Sequence, residues 1–319
     1  MNTGSLLYRP CAPDELRHLV GRHFGPTALA RASLLEGGLF NTTYLLTLAD
    51  GGRYVLRLGP VNRQLLLPFE HGMMAAEAHV YALCAQAGVP VPRVVATGAA
   101  ERAADRDYMI TEYIPSTTLF AYEGEKRAAY RALGEAAARL HGIRGARFGR
   151  VSQILRGGGY TSWSAAMLGE FRDWRRMAEP AGCYDRAELE RLEAVFRGCA
   201  PVLDAIATPR LAHADLWSGN VLVTADGGLA AVIDADRCLF GDPAFDFAEG
   251  WLDDPAFYEG YGRPPEPDAS ATLRKKLYRL LYGLLDGYVY AEEYRDPEAA
   301  ARCREKALGL LRELEAALG

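Results

Sequence analysis

The chain reads as an α+β fold in two lobes, a β-rich lobe over residues 1–114 and a mainly helical lobe over residues 115–319. Three features carry this. In the first part, short runs of alternating apolar and polar residues are separated by Gly- and Asp-rich turns, the period of half-buried strands. In the second, apolar residues recur at three-to-four spacing, the period of helices packed on one face. One short apolar hairpin, Val221 to Ile233, interrupts the helical part. Strands in succession followed by helices in succession point to segregated α+β packing.

The elements follow in order. Ser33 to Glu36 leads into Gly37-Gly38-Leu39-Phe40-Asn41, then a strand from Thr43 to Leu48, a turn at Asp50-Gly51-Gly52 and a strand from Arg53 to Leu58. Gly37 and Gly38 let backbone approach a bulky anion such as a triphosphate; taken alone, Gly-Gly before a strand is also an ordinary turn. Strand alternation puts Val55 and Arg57 on one face. The stripe Met73, Glu77, Val80, Tyr81, Cys84 has helical spacing. A carboxylate in such an apolar stripe needs a cation, and Arg57 is the expected partner, with Arg53 and Arg93 as alternatives.

Arg93 to Ala96 and Tyr108 to Ile114 are the next two strands, and Pro115 stops pairing there. Helical spacing then covers Glu125 to His141, Ser162 to Met177, Asp185 to Ala207, Leu273 to Glu293 and Pro297 to Leu318. The cluster Gly157-Gly158-Gly159 is a loop.

The most informative segment is His213-Ala214-Asp215-Leu216-Trp217-Ser218-Gly219-Asn220, followed by a hairpin whose second strand ends in Ile233-Asp234. Singly, each polar residue has an ordinary explanation: a turn Asp, an Asn tolerant of left-handed backbone, a structural His. Jointly they match H-x-D-x-x-x-x-N, in which the Asp faces an acceptor hydroxyl and the Asn binds Mg²⁺. Asp234, at the exit of an apolar strand, supplies a further hard oxygen. Asp236, Asp242 and Asp246 lack the order of a calcium loop; Asp242 caps the turn opened by Pro243, and Asp246 braces the catalytic loop.

HADLWSGN, VIDAD and GDPAFDFA together resemble the aminoglycoside phosphotransferase-like family of small-molecule kinases, over roughly Leu34 to Tyr290. DLWSGN also resembles the fructosamine kinase branch. Ala214 departs from the Gly of many relatives, which a backbone outside the left-handed region tolerates. The resemblance implies a protein-kinase-like fold and a set of roles. Asp215 is the catalytic residue, with His213 beside it bracing the loop, and Asn220 and Asp234 hold Mg²⁺. Gly37, Gly38, Asn41, Arg57 and Glu77 grip the nucleotide phosphates. Glu112-Tyr113-Ile114 form the hinge, where backbone groups meet the adenine; side chains there do not choose between ATP and GTP. Arg57 stands where kinases usually carry Lys.

The expected activity is transfer of a γ-phosphoryl group to a hydroxyl of a small molecule. An acidic and aromatic segment, Glu249, Trp251, Asp253, Asp254, Phe257, Tyr258, Glu259 and Tyr261, suits a cationic acceptor such as an aminoglycoside and equally an exposed acidic helix end. A fructosamine-type kinase and a nucleotide-binding pseudokinase are the alternatives, the former favoured by DLWSGN but disfavoured by Arg57, where Lys is the simpler match, and the latter disfavoured by retention of Asp215, Asn220 and Asp234. Composition agrees. The 319 residues, half hydrophobic, suffice for two cores. A net charge of −5 argues against nucleic-acid binding. Six cysteines without a C-x-x-C pair suggest free thiols in a cytoplasmic protein. Met1 to Pro13 carries no signal-peptide or membrane-anchor pattern, and nothing sets the oligomeric state.

Overall fold

The computed structural model describes residues 4–35, 40–99, 106–262 and 268–319. The first lobe is built on a five-stranded antiparallel sheet of β1 (Leu29–Leu34), β2 (Thr42–Leu48), β3 (Arg53–Leu58), β4 (Val94–Gly98) and β5 (Tyr108–Glu112), in the order β1-β2-β3-β5-β4. The β2–β3 turn closes at Gly51, whose φ of 90° suits glycine, while the Asp50 carboxylate accepts from Gly52 N at 2.8 Å. Alternation then separates the two faces. Tyr44, Leu46, Leu56, Leu58 and Ile110 pack with Leu16 and Val20 of α1 (Pro13–Phe24). The opposite face carries Arg57, whose register partner Met109 packs against α2 (Met73–Gln86).

Between Tyr113 and Ser116 the chain leaves this sheet. β6 (Thr117–Thr118) pairs with β9 (Val221–Val223), which pairs in turn with β10 (Leu229–Val232). A second small sheet, β7 (Gly149–Arg150), β11 (Leu239–Gly241) and β8 (Arg210–Ala212), lies behind the catalytic segment. Around them pack α3 (Arg127–Gly142), α4 (Val151–Leu155), α5 (Trp163–Ala178), α6 (Arg186–Gly198), α7 (Ala200–Asp204), α8 (Pro255–Tyr261), α9 (Ala269–Tyr288) and α10 (Pro297–Leu318). Trp163, Phe171, Trp174, Phe196, Tyr278 and Leu281 fill the largest core. α3 and α8 come into backbone contact: a Cβ on Gly134 would lie 2.0 Å from the Phe257 carbonyl oxygen.

The two-lobed α+β architecture matches the reading from sequence, with local differences. The expected helix from Asp185 to Ala207 breaks at Cys199, where Pro201 has no N–H to continue the ladder. β5 ends at Glu112, two residues early. α9 closes in a π turn over Val289–Glu293. The helix α1 and the strand β1 were not foreseen, although Pro13 at the helix start, Asp14 and Glu15 in its first turn and Gly25 after its end are ordinary helix punctuation.

Candidate active site

The segment between β8 and β9 is held from behind by Asp246, in the turn Pro243–Phe247. Its buried carboxylate accepts from His213 N at 2.9 Å and Ala214 N at 2.6 Å, and meets His141 Nε2 at 2.9 Å. His141 reaches Tyr261 OH through Nδ1 at 2.8 Å. Tyr282 OH donates to the Ala214 carbonyl at 2.8 Å. The loop backbone is thereby fixed on both sides of Ala214.

Ala214 has φ of 63°, in the left-handed region. The condition under which a methyl is tolerated without strain, a backbone outside the left-handed region, is therefore not met. An L-residue there costs roughly 1 kcal/mol, and the bonds to its own N–H and carbonyl, with a third to the His213 N–H, hold it in place. His213 lies between the loop and the hairpin. Its side chain is fully buried and Nε2 lies 3.0 Å from the Ile233 carbonyl, which can only accept, so Nε2 carries the proton. Burial pushes its pKa down. It is a neutral brace between loop and hairpin.

Asp215 points the other way. Asn220 Nδ2 donates to both the Asp215 carbonyl at 2.8 Å and its Oδ2 at 3.0 Å, which leaves Asn220 Oδ1 as that side chain's acceptor. Burial, and then the nearby charge of Asp234, push the Asp215 carboxyl up to about 7. Asp234 follows β10 with φ of 63°, a conformation that Asp adopts more readily than most residues.

Arg57 joins the two lobes. Its Nη1 donates to Glu77 and its Nη2 to Asp234, with Asp236 at 3.4 Å. Glu77 also accepts from Tyr81 OH at 2.6 Å, and that hydroxyl accepts from Asp234 N at 3.1 Å. The alternative partners are engaged elsewhere, Arg93 with Glu112 and Arg53 over the Tyr113 ring at 3.9 Å. Glu77, Asp234 and Asp236 each place a carboxylate oxygen within 4.8 Å of the others. Asp236 was not among the predicted site residues; the second carboxylate of Asp-Ala-Asp was the available signal. Tyr81 was seen only as part of an apolar stripe.

Asn41 Nδ2 donates to Asp236 at 3.2 Å, tying the strand after the glycine loop to the same cluster. Gly37 and Gly38 lie outside the described residues.

The profile of the phosphotransferase enzyme family matches residues 31–278. The chain belongs to that family. It is 27% identical over 230 residues, 67% of this chain and 74% of the other, to a probable ketoamine kinase of Staphylococcus aureus. Over a shorter stretch of 115 residues, 35% of this chain and 34% of the relative, it is 30% identical to the chloroplastic protein-ribulosamine 3-kinase of Arabidopsis thaliana. A thermostable mutant of the aminoglycoside phosphotransferase APH(4)-Ia, crystallised with AMP-PNP and hygromycin B, shares the fold with a TM-score of 0.66 at 21% identity, over 93% of this chain and 98% of that one.

In this phosphotransferase the predicted hinge is partly consumed by the sheet. Glu112 N donates to the Arg93 carbonyl at 3.0 Å and Tyr113 N to the Arg53 carbonyl at 3.2 Å. The expected adenine contacts through all three residues thus contract to the Ile114 N–H and the carbonyls. The acidic segment is likewise mostly structural: Asp254 caps α8, Glu259 pairs with Arg127, Asp253 accepts from Tyr258 OH and Phe257 is fully buried. Trp251 remains exposed, edge-on to Tyr282, and Glu249 lies 3.8 Å from Arg279. Among the described residues all six cysteines are free thiols, and no helix is long and apolar enough to cross a membrane.

Proposed function

We propose that this phosphotransferase moves the γ-phosphoryl group of ATP to a hydroxyl of a sugar joined to an amine, a ketoamine in the first instance. The observation that carries the reading is the convergence of Asp215, Asn220 and Asp234 with the Arg57–Glu77 pair in one interlobe cleft. On this reading Asp215 orients the acceptor hydroxyl and takes its proton, and a carboxyl pushed up to about 7 supports that role near neutral pH. Arg57, held by Glu77, supplies positive charge for the nucleotide phosphates. The Ile114 N–H, without a hydrogen-bond partner among the described residues, and the Glu112 and Tyr113 carbonyls are the backbone groups offered to the adenine edge, since the Ile114 carbonyl accepts from Ser116 Oγ at 2.8 Å.

The residues fit a hard divalent cation such as Mg²⁺. Asp234, Asp236 and Asn220 Oδ1 offer oxygens, and Glu77 Oε2 is buried without a partner among the described residues. When bound, the ion neutralises charge on the phosphate oxygens. Arg57 as the basic residue does not weigh against the ketoamine reading, because its guanidinium engages carboxylates of both lobes at once.

The names of both curated relatives favour ketoamines. Exposed Trp217, with Phe120 edge-on at 5.7 Å, offers an apolar face beside Asp215 for a sugar ring. The fold shared with APH(4)-Ia keeps an aminoglycoside acceptor as the second reading. A transfer screen with γ-labelled ATP over fructosamines, ribulosamines and aminoglycosides, with products located by mass spectrometry, tests this. Labelled ketoamine that disappears with Asp215→Asn is the expected result, and transfer to aminoglycosides alone would overturn the ketoamine assignment.

A further inference from the structure

Among the described residues two guanidinium groups, Arg57 and Arg237, meet the carboxylate cluster, and the proposed function uses Arg57 alone. Arg57 spends its donors on three carboxylates and is 14% exposed. Arg237 follows Asp234 by three residues and is 27% exposed. Its one side-chain hydrogen bond among the described residues runs from Nη2 to Glu70 at 3.1 Å. A guanidinium has five N–H donors, so most of its donors carry no hydrogen bond among the described residues.

Its position is built with care. Glu70 is buried and fixed by Leu67 N, which donates to its Oε2 at 2.9 Å. The Arg237 carbonyl accepts from Arg150 Nη1 at 2.6 Å, and buried Arg150 is itself clamped by Glu170 through Nε at 3.0 Å. The guanidinium carbon lies 5.9 Å from the Phe40 ring and 5.7 Å from the Phe69 ring. Phe40 directly follows the glycine loop, and Asn41 beside it bonds Asp236, next to Arg237 in sequence. The side chain therefore lies beside Phe40 and close to the carboxylate cluster, and its charge acts on both Asp215 and Asp236.

We propose that Arg237 is a second phosphate-binding cation of the cleft: it contacts the terminal phosphoryl group of the nucleotide and neutralises charge on its oxygens during transfer. The inference rests on the phosphotransfer reading above. The acceptor oxygen forms the new P–O bond as the bridging P–O bond to the β-phosphate breaks. The electron pair leaves with ADP and the acceptor proton goes to Asp215, while Arg237 neither gains nor loses a proton. Preorganised donors at such oxygens contribute on the order of 10²-fold or more to the rate.

The test uses the full chain with Mg²⁺, ATP and water as acceptor, so that no sugar need be identified. Arg237→Met is expected to lower phosphate release roughly 10²-fold while AMP-PNP affinity stays within about threefold. Arg237→Lys should retain part of the rate, millimolar guanidinium should partly rescue Arg237→Met, and Glu70→Gln should lose less than Arg237→Met. Unchanged release in Arg237→Met overturns the proposal. So does an equal loss in Glu70→Gln, the signature of a mere tie between lobes, or a loss confined to AMP-PNP affinity. If Arg237→Met does not fold, Arg237→Lys and Glu70→Gln are read by the same criteria. If Asp215→Asn abolishes release and Arg237→Met does not alter it, this inference alone fails. Wild-type protein that neither binds AMP-PNP nor releases phosphate refutes the phosphotransfer reading itself, and this inference with it.

Discussion

Asp246→Ala removes the acceptor that holds the catalytic loop, and its cost can be worked from the bonds it breaks. The variant strands two buried backbone N–H groups, at His213 and Ala214, and takes the partner from His141 Nε2. A buried donor left unpaired costs about 1–3 kcal/mol, so the sum is about 4 kcal/mol. Domains are stable by about 5–15 kcal/mol, which makes this a large share. With a urea slope of about 3 kcal/mol per molar, the midpoint should fall by more than 1 M (roughly 4/3) at pH 7. Asp246→Asn keeps one acceptor but turns an NH₂ toward a donor, and should fall between wild type and Ala.

The same carboxylate has a pH signature. Burial raises its pKa, but the hydrogen bond and charge of His141 and the loop amide outweigh this and hold it below its ordinary value of 3.8. A folded-state pKa below the unfolded one means that the contribution is fully present above about pH 4. It is lost as pH falls below that value through the folded pKa. Wild type should therefore lose stability over acid conditions more steeply than Asp246→Asn. A midpoint shift under about 0.3 M for Asp246→Ala at pH 7, roughly 1 kcal/mol on the same slope, would refute the account of Asp246 as a principal anchor of the loop.

Further outcomes follow from the site. Asp215→Asn should lower transfer by about 10³-fold while leaving AMP-PNP affinity nearly unchanged in titration calorimetry, and should raise the melting temperature because a desolvated carboxyl is removed. The pH profile of kcat/KM should rise with pH through an apparent pKa near 7, since Asp215 must be ionised to take a proton; a rate flat from pH 5 to 9 would remove Asp215 as base. Asp234→Asn should weaken AMP-PNP binding in the presence of Mg²⁺ and leave binding in EDTA little altered. Ala214→Gly should leave stability within about 1 kcal/mol of wild type, because relief of the left-handed backbone is offset by loss of a buried methyl and added freedom of the unfolded chain.

What the sequence reveals and conceals divides along physical lines. The β2–β3 hairpin and Arg57–Glu77 pairing were legible because a period-two run bounded by Asp-Gly-Gly has one simple solution, and because a carboxylate inside an apolar helical stripe requires a cation. Asp246 as a brace was legible from its place after a capped Pro turn. The φ of Ala214 was not, because a motif specifies residue types and leaves dihedrals to the tertiary bonds that impose them. Glu70 and Arg237 were missed because they lie 167 positions apart, one in an irregular Pro-containing segment and one in a short turn, where periodicity has nothing to report. The acidic segment misled for the opposite reason: local composition looked like a binding surface, yet capping and ion pairing consume most of its charges.

The charge balance of the cleft explains why these residues belong together. Glu77, Asp234 and Asp236 bring carboxylate oxygens within 4.8 Å of one another. At an effective dielectric of about 20, each like-charge pair at that separation costs roughly 3.5 kcal/mol. Arg57 touches all three, and its three attractions offset the three repulsions without repaying desolvation. That shortfall is consistent with burial pushing the pKa of Glu77 and Asp236 up. Free ATP would add four negative charges to this site, whereas its divalent-metal complex adds about half as many and places positive charge among the carboxylates. A cation taken by Asp234 would compete for the oxygen that now receives Arg57 Nη2, releasing that donor toward phosphate. On the proposed function, metal and nucleotide therefore bind with positive coupling, and Arg57 shifts from binding carboxylates alone to bridging Glu77 and the nucleotide.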